Sequence, residues 1–395
     1  MGIYREIFKL CNEHGIDFYS TLPCSHNIDF IQQLEDFDGN TIREDSKSLI
    51  HIPLVREESG VSINAGATLG GRKTAMVIQN QGLGNMVTQM LSLNSKLEGS
   101  YNIPNLLIIS HRGRKEEKIE AQKPVGSKTE HILELCGFKY CYVNNKSDLE
   151  EFRTILRSYE KGLNVAILVK PNYEKAPKRI ENNDTSYRKL NKINISGDRL
   201  KTSMSRYEAI SIVMKKLTKE LVVANLGHPS REVYHLKDRE RNFYLTSCLG
   251  HSYTLALGLA LASEGMDQKI VCFEGDGGLL MNSGSLSIVG TKRPKNLILF
   301  LLDNGVWGST GNTKTYASNG TNLSSVAHAH GFPKSKMMVI SEKKELERNL
   351  TYALENEGPF FFHLIVSDHY TKMPLIPYSV IDIKNRFIKS IGSNL

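Results

Sequence analysis

An acidic turn, EGDGG (274–278), closes one apolar run, and an Asp-Asn pair closes the next, NLILFLLDN (296–304), so that Asn304 follows Asp276 by 28 residues. Both side chains offer hard oxygen. With a backbone carbonyl, water and diphosphate oxygens they suit an octahedral Mg²⁺, which proteins hold by one or two carboxylates plus substrate phosphates. Gly275, Gly277 and Gly278 let the backbone approach a ligand closely, and a helix starting there presents free N–H groups to a phosphate. Taken singly, GDGG reads as a turn and Asn304 as a strand-end cap. The spacing favours the joint reading, because a right-handed crossover makes the two strands parallel and delivers both ends to one carboxyl edge.

Those edges need sheets, and the chain supplies them. Apolar runs alternate with helical patterns, the mark of βαβ units and parallel sheets. Strands are expected near 48–55, 74–80, 105–110 and 164–170 in the first half, and near 220–226, 269–274, 296–304 and 360–366 in the second, with a helix over 205–219. Between them, NYEKAPKRIENNDTSYRKLNKINISGDRLK (172–201) has few aliphatics and many Asn, Lys and Asp, which is linker composition. The reading is α/β: a domain over 1–172, a linker over 173–200 and a second domain over 201–395. Each domain is a mostly parallel sheet flanked by helices, and the two are candidates for the same fold.

The chain has 395 residues and a formal net charge of +8, but its basic residues are dispersed, and the densest cluster, HRGRKEEK (111–118), carries its own glutamates. That argues for solvated surface plus an anionic small-molecule site rather than nucleic acid. Six scattered cysteines without CxxC pairs fit a reduced, cytoplasmic chain. The N-terminus shows no secretory pattern, Glu6 stands where a myristoylation signal wants Ser or Thr, and no run approaches the roughly 18 apolar residues that span a bilayer.

The pairing of GDG with a later Asn is similar to the diphosphate-binding signature of thiamine-diphosphate (ThDP) enzymes. REESGVSINAGATLGGRKTAM (56–76) resembles that family's pyrimidine-side segment, in which a glutamate lies nine residues before a helix glycine; counting back from Gly66 gives Glu57, with Glu58 the adjacent alternative. The resemblance makes Glu57 the acid that serves N1′ of the aminopyrimidine. CLGHSYTLALGLAL (248–261) resembles the segment that sets a bulky aliphatic under the bent cofactor, and Leu249 falls there, beside Ser247. Gln79, Asn80 and Gly82 in IQNQGLGN (78–85) would complete the cofactor contacts, and the carbonyl of Val306 would join Asp276 and Asn304 on the metal.

Among ThDP-dependent decarboxylases, the absence of a middle domain and the strings LLIISHRGRKEEK (106–118), GHPSREVYHLKDR (227–239) and DNGVWGSTGNTKT (303–315) are most similar to enzymes of sulfonated pyruvate. Those of phosphonated pyruvate come second. His228, His251 and the pair Thr313-Lys314 depart from the usual pattern. The resemblance implies a small anionic 2-oxoacid as substrate, with Gln81, His111, Arg112 and Lys123 as candidate contacts, and a homodimer or larger assembly with active sites between chains. The proton donor stays open among His26, His111 and His251. A carboligase with the same cofactor residues is a rival, and a nucleotide-binding protein is a weaker one. The GLGN loop lacks the third Rossmann glycine, and no P-loop Lys-Ser/Thr follows GDGG.

Overall fold

The structure, a computed structural model, describes residues 2–37, 48–171, 202–310, 312–369 and 371–392; the expected linker, 173–200, lies outside these. Two six-stranded sheets organise the chain. The first contains β1 (Phe18–Thr21), β2 (Ile50–Pro53), β3 (Thr74–Gln79), β4 (Leu106–Ser110), β5 (Lys139–Val143) and β6 (Val165–Val169), in the order β2-β1-β3-β4-β6-β5. The second contains β7 (Leu221–Ala224), β8 (Asn242–Tyr244), β9 (Ile270–Gly275) and β10 (Leu297–Asp303). A small antiparallel hairpin follows, β11 (Val306–Trp307) with β12 (Thr313–Lys314). Then β13 (Met337–Ile340) and β14 (Phe360–Ile365) complete the order β13-β14-β10-β9-β7-β8.

Every pairing within the two large sheets is parallel. Helices cover both faces, so the central strands β4, β6 and β10 are buried along their whole length and read as continuous apolar runs. All eight strands expected from such runs are present. The expectation passed over β1, β5, β8 and β13, which are short or lie at sheet edges; β5, KYCYV, has only two buried residues of five.

Two helices form the layer between the sheets. Glu57–Leu69 and Ser252–Ala262 are buried at every residue, so neither shows the one-sided polarity of a surface helix. They touch backbone to backbone. A Cβ on Gly66 would stand 1.9 Å from the Leu255 carbonyl oxygen, and one on Gly258 would stand 1.9 Å from that of Ile63. Only glycine allows this approach. Hydrogen bonds extend the seam: Ser62 Oγ to Thr254 Oγ1 at 2.8 Å, and Ser59 Oγ to Ser285 Oγ at 2.6 Å. The apolar core runs through it from one sheet to the other.

At the end of the chain, the helix Val380–Ile391 begins with a Ser379–Asp382 capping box and sets Phe387 against Phe243, with ring centroids 5.4 Å apart. Lys384 Nζ donates to the Asn102 carbonyl at 3.1 Å. The C-terminal tail therefore fastens β8 to the first half.

Candidate active site

In the parallel register of β9 and β10, Gly275 pairs with Leu302, which leaves Asp276 and Asn304 just beyond the ends of adjacent strands. Asp276 is the first residue of a short helix, Asp276–Met281, and is buried. Thr315 Oγ1 donates to its Oδ2 at 2.5 Å. Burial pushes this carboxyl up to about 6, the Thr315 hydrogen bond opposing the rise, and Asp276 has no ion pair among the described residues. A buried carboxylate with no cation beside it is the donor a metal ion would satisfy. Asn304 is also buried, and its Oδ1 accepts from the Val306 N–H at 3.2 Å.

The glycines around Asp276 are required by packing. A Cβ on Gly277 would lie 2.3 Å from the Trp307 ring, and one on Gly278 would lie 2.3 Å from Glu274 Oε1. Glu274 is fully buried, takes Ser252 Oγ–H at 2.6 Å and the Gly275 N–H at 2.9 Å, and is raised by burial to about 7. It anchors the turn from beneath.

Leu249 sits in a strained loop. Cys248 before it has φ 62° and Gly250 after it φ 80°, both left-handed, and a Cβ on Gly250 would meet the Gly278 carbonyl oxygen at 2.6 Å. A non-glycine residue at positive φ persists only when its surroundings impose it, and such strain clusters at ligand sites. Leu249 remains half-exposed while its neighbours are buried, unlike a packed core leucine. Ser247 precedes it, with Oγ 3.7 Å from Cys248 Sγ.

Glu57 opens its helix just past β2. Its Oε2 accepts from Asn85 Nδ2 at 3.1 Å, and its Oε1 lies where a Cβ on Gly82 would stand, at 2.2 Å. Glu58 points elsewhere and pairs with Arg56. The adjacent alternative is thus committed to a neighbouring charge, while Glu57 is held in a cradle of glycine and amide. Asn85 was not among the residues singled out from sequence; the signal was its place in the GLGN loop.

The remaining candidates fall on the loops after β3 and β4. Gln79 ends β3. Asn80 bonds the Arg112 backbone in both directions at 2.9 Å and Thr129 Oγ1 at 2.8 Å, which spends its amide on joining the two loops. Gln81 Nε2 donates to the Gln122 carbonyl at 3.0 Å. Both arms of the Arg112 guanidinium, Nε and Nη2, bond Glu117 at 3.0 Å, so an anion would have to share that fork. Lys123 Nζ meets Glu120 at 2.6 Å on an exposed turn. His111 is buried, lies 3.3 Å from the Gly126 carbonyl oxygen, and is held below the usual histidine value by burial.

Two of the histidines that depart from the pattern have clear surroundings. His251 bonds Ser62 Oγ at 3.1 Å and Gln89 Nε2 at 3.2 Å across the seam, and burial pushes it down to about 4, so it is neutral at neutral pH. His228 flanks the Asn304 turn, its Cδ2 being 3.7 Å from a Cβ built on Gly308. Among the described residues no cluster of three His, Cys, Asp or Glu could hold a metal. The donor set at this edge is instead carboxylate, amide and backbone carbonyl, which suits a hard cation sharing its shell with phosphate.

Residues 227–364 match the family model for the C-terminal TPP binding domain of thiamine pyrophosphate enzymes. Sulfopyruvate decarboxylase of Methanosarcina acetivorans is 33% identical over 98% of this chain and 97% of its own length. Phosphonopyruvate decarboxylase of Streptomyces viridochromogenes is 29% identical over 89% of this chain and 85% of its own. Benzoylformate decarboxylase from Polynucleobacter necessarius has the same fold, with a TM-score of 0.66 at 13% identity over 94% of this chain and all of that one. The chain belongs to the family of sulfopyruvate and phosphonopyruvate decarboxylases, thiamine-pyrophosphate-dependent enzymes of 2-oxoacids.

Proposed function

We propose that the chain decarboxylates 3-sulfopyruvate to sulfoacetaldehyde and CO₂, using ThDP and Mg²⁺. The observation that carries the reading is the Asp276 carboxylate, buried and without an ion pair among the described residues, at an edge it shares with Asn304. The choice of sulfonate rests on the end-to-end likeness to the Methanosarcina enzyme.

Asp276, Asn304 and the Val306 carbonyl would hold Mg²⁺, and Gly275, Gly277 and Gly278 would admit the diphosphate. Leu249, partly exposed between two left-handed residues, would pack against the cofactor, with Ser247, Gln79, Asn80 and Gly82 around it. When bound, ThDP supplies the electron sink for the electron pair released as CO₂ leaves. Glu57 serves as the acid–base group at N1′, its carboxylate steadied by Asn85. Gln81, His111, Arg112 and Lys123 are the candidates for the anionic end of the substrate, Arg112 having to share its planar fork with Glu117.

The enzyme is read as cytoplasmic, consistent with six free cysteines, and as serving coenzyme M biosynthesis or related sulfonate metabolism. It is also read as a homodimer or larger assembly with sites completed between chains. Exposed apolar side chains flanking the site, Val55 just before Glu57 and Met281 at the end of the Asp276 helix, support a covering partner.

The second reading, phosphonopyruvate as substrate, is favoured by the Streptomyces relative. CO₂ release from the two substrates side by side, with Glu57→Gln as control, separates them. Faster turnover of sulfopyruvate is expected, and equal turnover of pyruvate would remove the case for a dedicated anion pocket.

A further inference from the structure

Behind Asn304 lies a buried chain of polar groups that the proposed chemistry leaves unused. Ser324, on the helix Leu323–Ala329, bonds His363 Nδ1 through Oγ at 2.6 Å. His363, on β14, bonds Asp303 Oδ2 through Nε2 at 2.9 Å. Asp303 Oδ1 accepts from the Gly305 N–H at 3.0 Å, and the Gly305 carbonyl accepts from the Thr315 N–H at 2.9 Å and from Ser318 Oγ. Thr315 Oγ1 then reaches Asp276 at 2.5 Å. The path runs unbroken from a helix on one side of β14 to the Asp276 carboxylate, and the Asn304 turn lies inside it. Asp303, His363 and Thr315 are all buried.

The trio Ser324, His363 and Asp303 has the composition of a hydrolase triad, but its connections are reversed. In such triads the acid takes the Nδ1 proton and the serine stands on Nε2. Here the serine is on Nδ1 and the acid on Nε2, and the acid's other oxygen is tied to the Gly305 backbone. The arrangement supports a loop rather than activating a nucleophile.

We propose that Thr315 and the Asp303–His363–Ser324 chain are positioning residues for the metal site, fixing Asp276 and the 304–306 turn at the spacing a divalent cation requires. This rests on reading Asp276 and Asn304 as metal ligands. Carboxylates that ligate metals are themselves held by hydrogen bonds, and removing such an outer partner costs about 10–100-fold in metal affinity.

The chain contains a single tryptophan, Trp307, and its ring lies against Gly277. Its fluorescence therefore reports on the site without any substrate. Mg²⁺ is titrated into the full-length protein with ThDP present, and the half-saturating concentration is read from Trp307 emission. Thr315→Val and His363→Phe are expected to raise it about 10–100-fold, whereas Thr315→Ser, which keeps the hydroxyl, stays near wild type. Ser287→Ala breaks a similar contact elsewhere, between Ser287 Oγ and His330 Nδ1 at 2.6 Å, and is expected to change nothing. Should His363→Phe fail to fold, Ser324→Ala takes its place. Wild-type Mg²⁺ affinity in the folded Thr315→Val and His363→Phe proteins overturns the proposal, as does an equal loss in Ser287→Ala. A wild-type protein with no Mg²⁺-dependent signal instead removes the metal reading itself, and the proposal with it.

Discussion

Glu57 shows how much a single position depends on its neighbours. Its carboxylate occupies the space that any side chain at residue 82 would fill, and Asn85 holds the other oxygen. Gly82→Ala puts a Cβ 2.2 Å from Oε1, so the acid must move by about an ångström or more. Displacement on that scale costs on the order of 10²-fold in rate. The expected result is a matching fall in kcat in a steady-state assay, with the melting temperature nearly unchanged; a loss of stability without loss of rate would count against the assigned role. Glu57 was singled out in the sequence by a spacing from Gly66 that the family resemblance implies, and the role given to it is the one proposed above. Asn85 was not singled out, because an Asn in a Gly-rich loop has many uses and only the fold shows which one. Arg112 shows the opposite limit: its type suits an anion, but the sequence could not reveal that Glu117, five residues on, takes both arms of the fork.

At the scale of elements, the long buried strands were plain because two-sided burial writes itself as an unbroken apolar run. The hairpin of β11 and β12, which brings Trp307 to Gly277 and leads into Thr315, left no such mark, since its strands have only two residues each. The crossing of the two central helices was half legible. The small residues of NAGATLGG marked a helix after Glu57, but neither its close packing nor its partner helix was read from them. That crossing makes a sharp prediction. Gly258→Ala places a methyl 1.9 Å from the Ile63 carbonyl oxygen, a contact backbone cannot absorb without separating the helices. Overpacking of this kind costs about 3 kcal/mol. A clearly lower denaturation midpoint is expected, with activity falling too, because the helix that the new methyl pushes against carries Glu57.

For the whole molecule, the two halves are coupled through buried polar groups as well as apolar surface. His51, at the end of the first sheet, bonds Thr21 Oγ1 through Nε2 at 2.8 Å. It is held down to about 4, mainly by burial and then by Lys292 of the second half. A histidine whose folded value lies below its free value of 6.5 favours the folded state fully only above 6.5. That stability is lost as pH falls from 6.5 towards 4, by roughly 3 kcal/mol if the group acts alone. His51→Leu removes this one contribution, so the stability gap between wild type and variant should shift in the variant's favour across that window. Thermal melts at pH 7.5 and 5.0 check it, and a gap independent of pH would refute it.

The helix crossing between the halves has one further property. Gly66 meets the carbonyl three residues before Gly258, and Gly258 meets the carbonyl three residues before Gly66. Exchange the labels of the two halves and the contact maps onto itself, as it does at the two-fold interface of a homodimer. Two identical half-length polypeptides would make the same crossing, so this contact by itself does not distinguish the half that holds Glu57 from the half that holds Asp276.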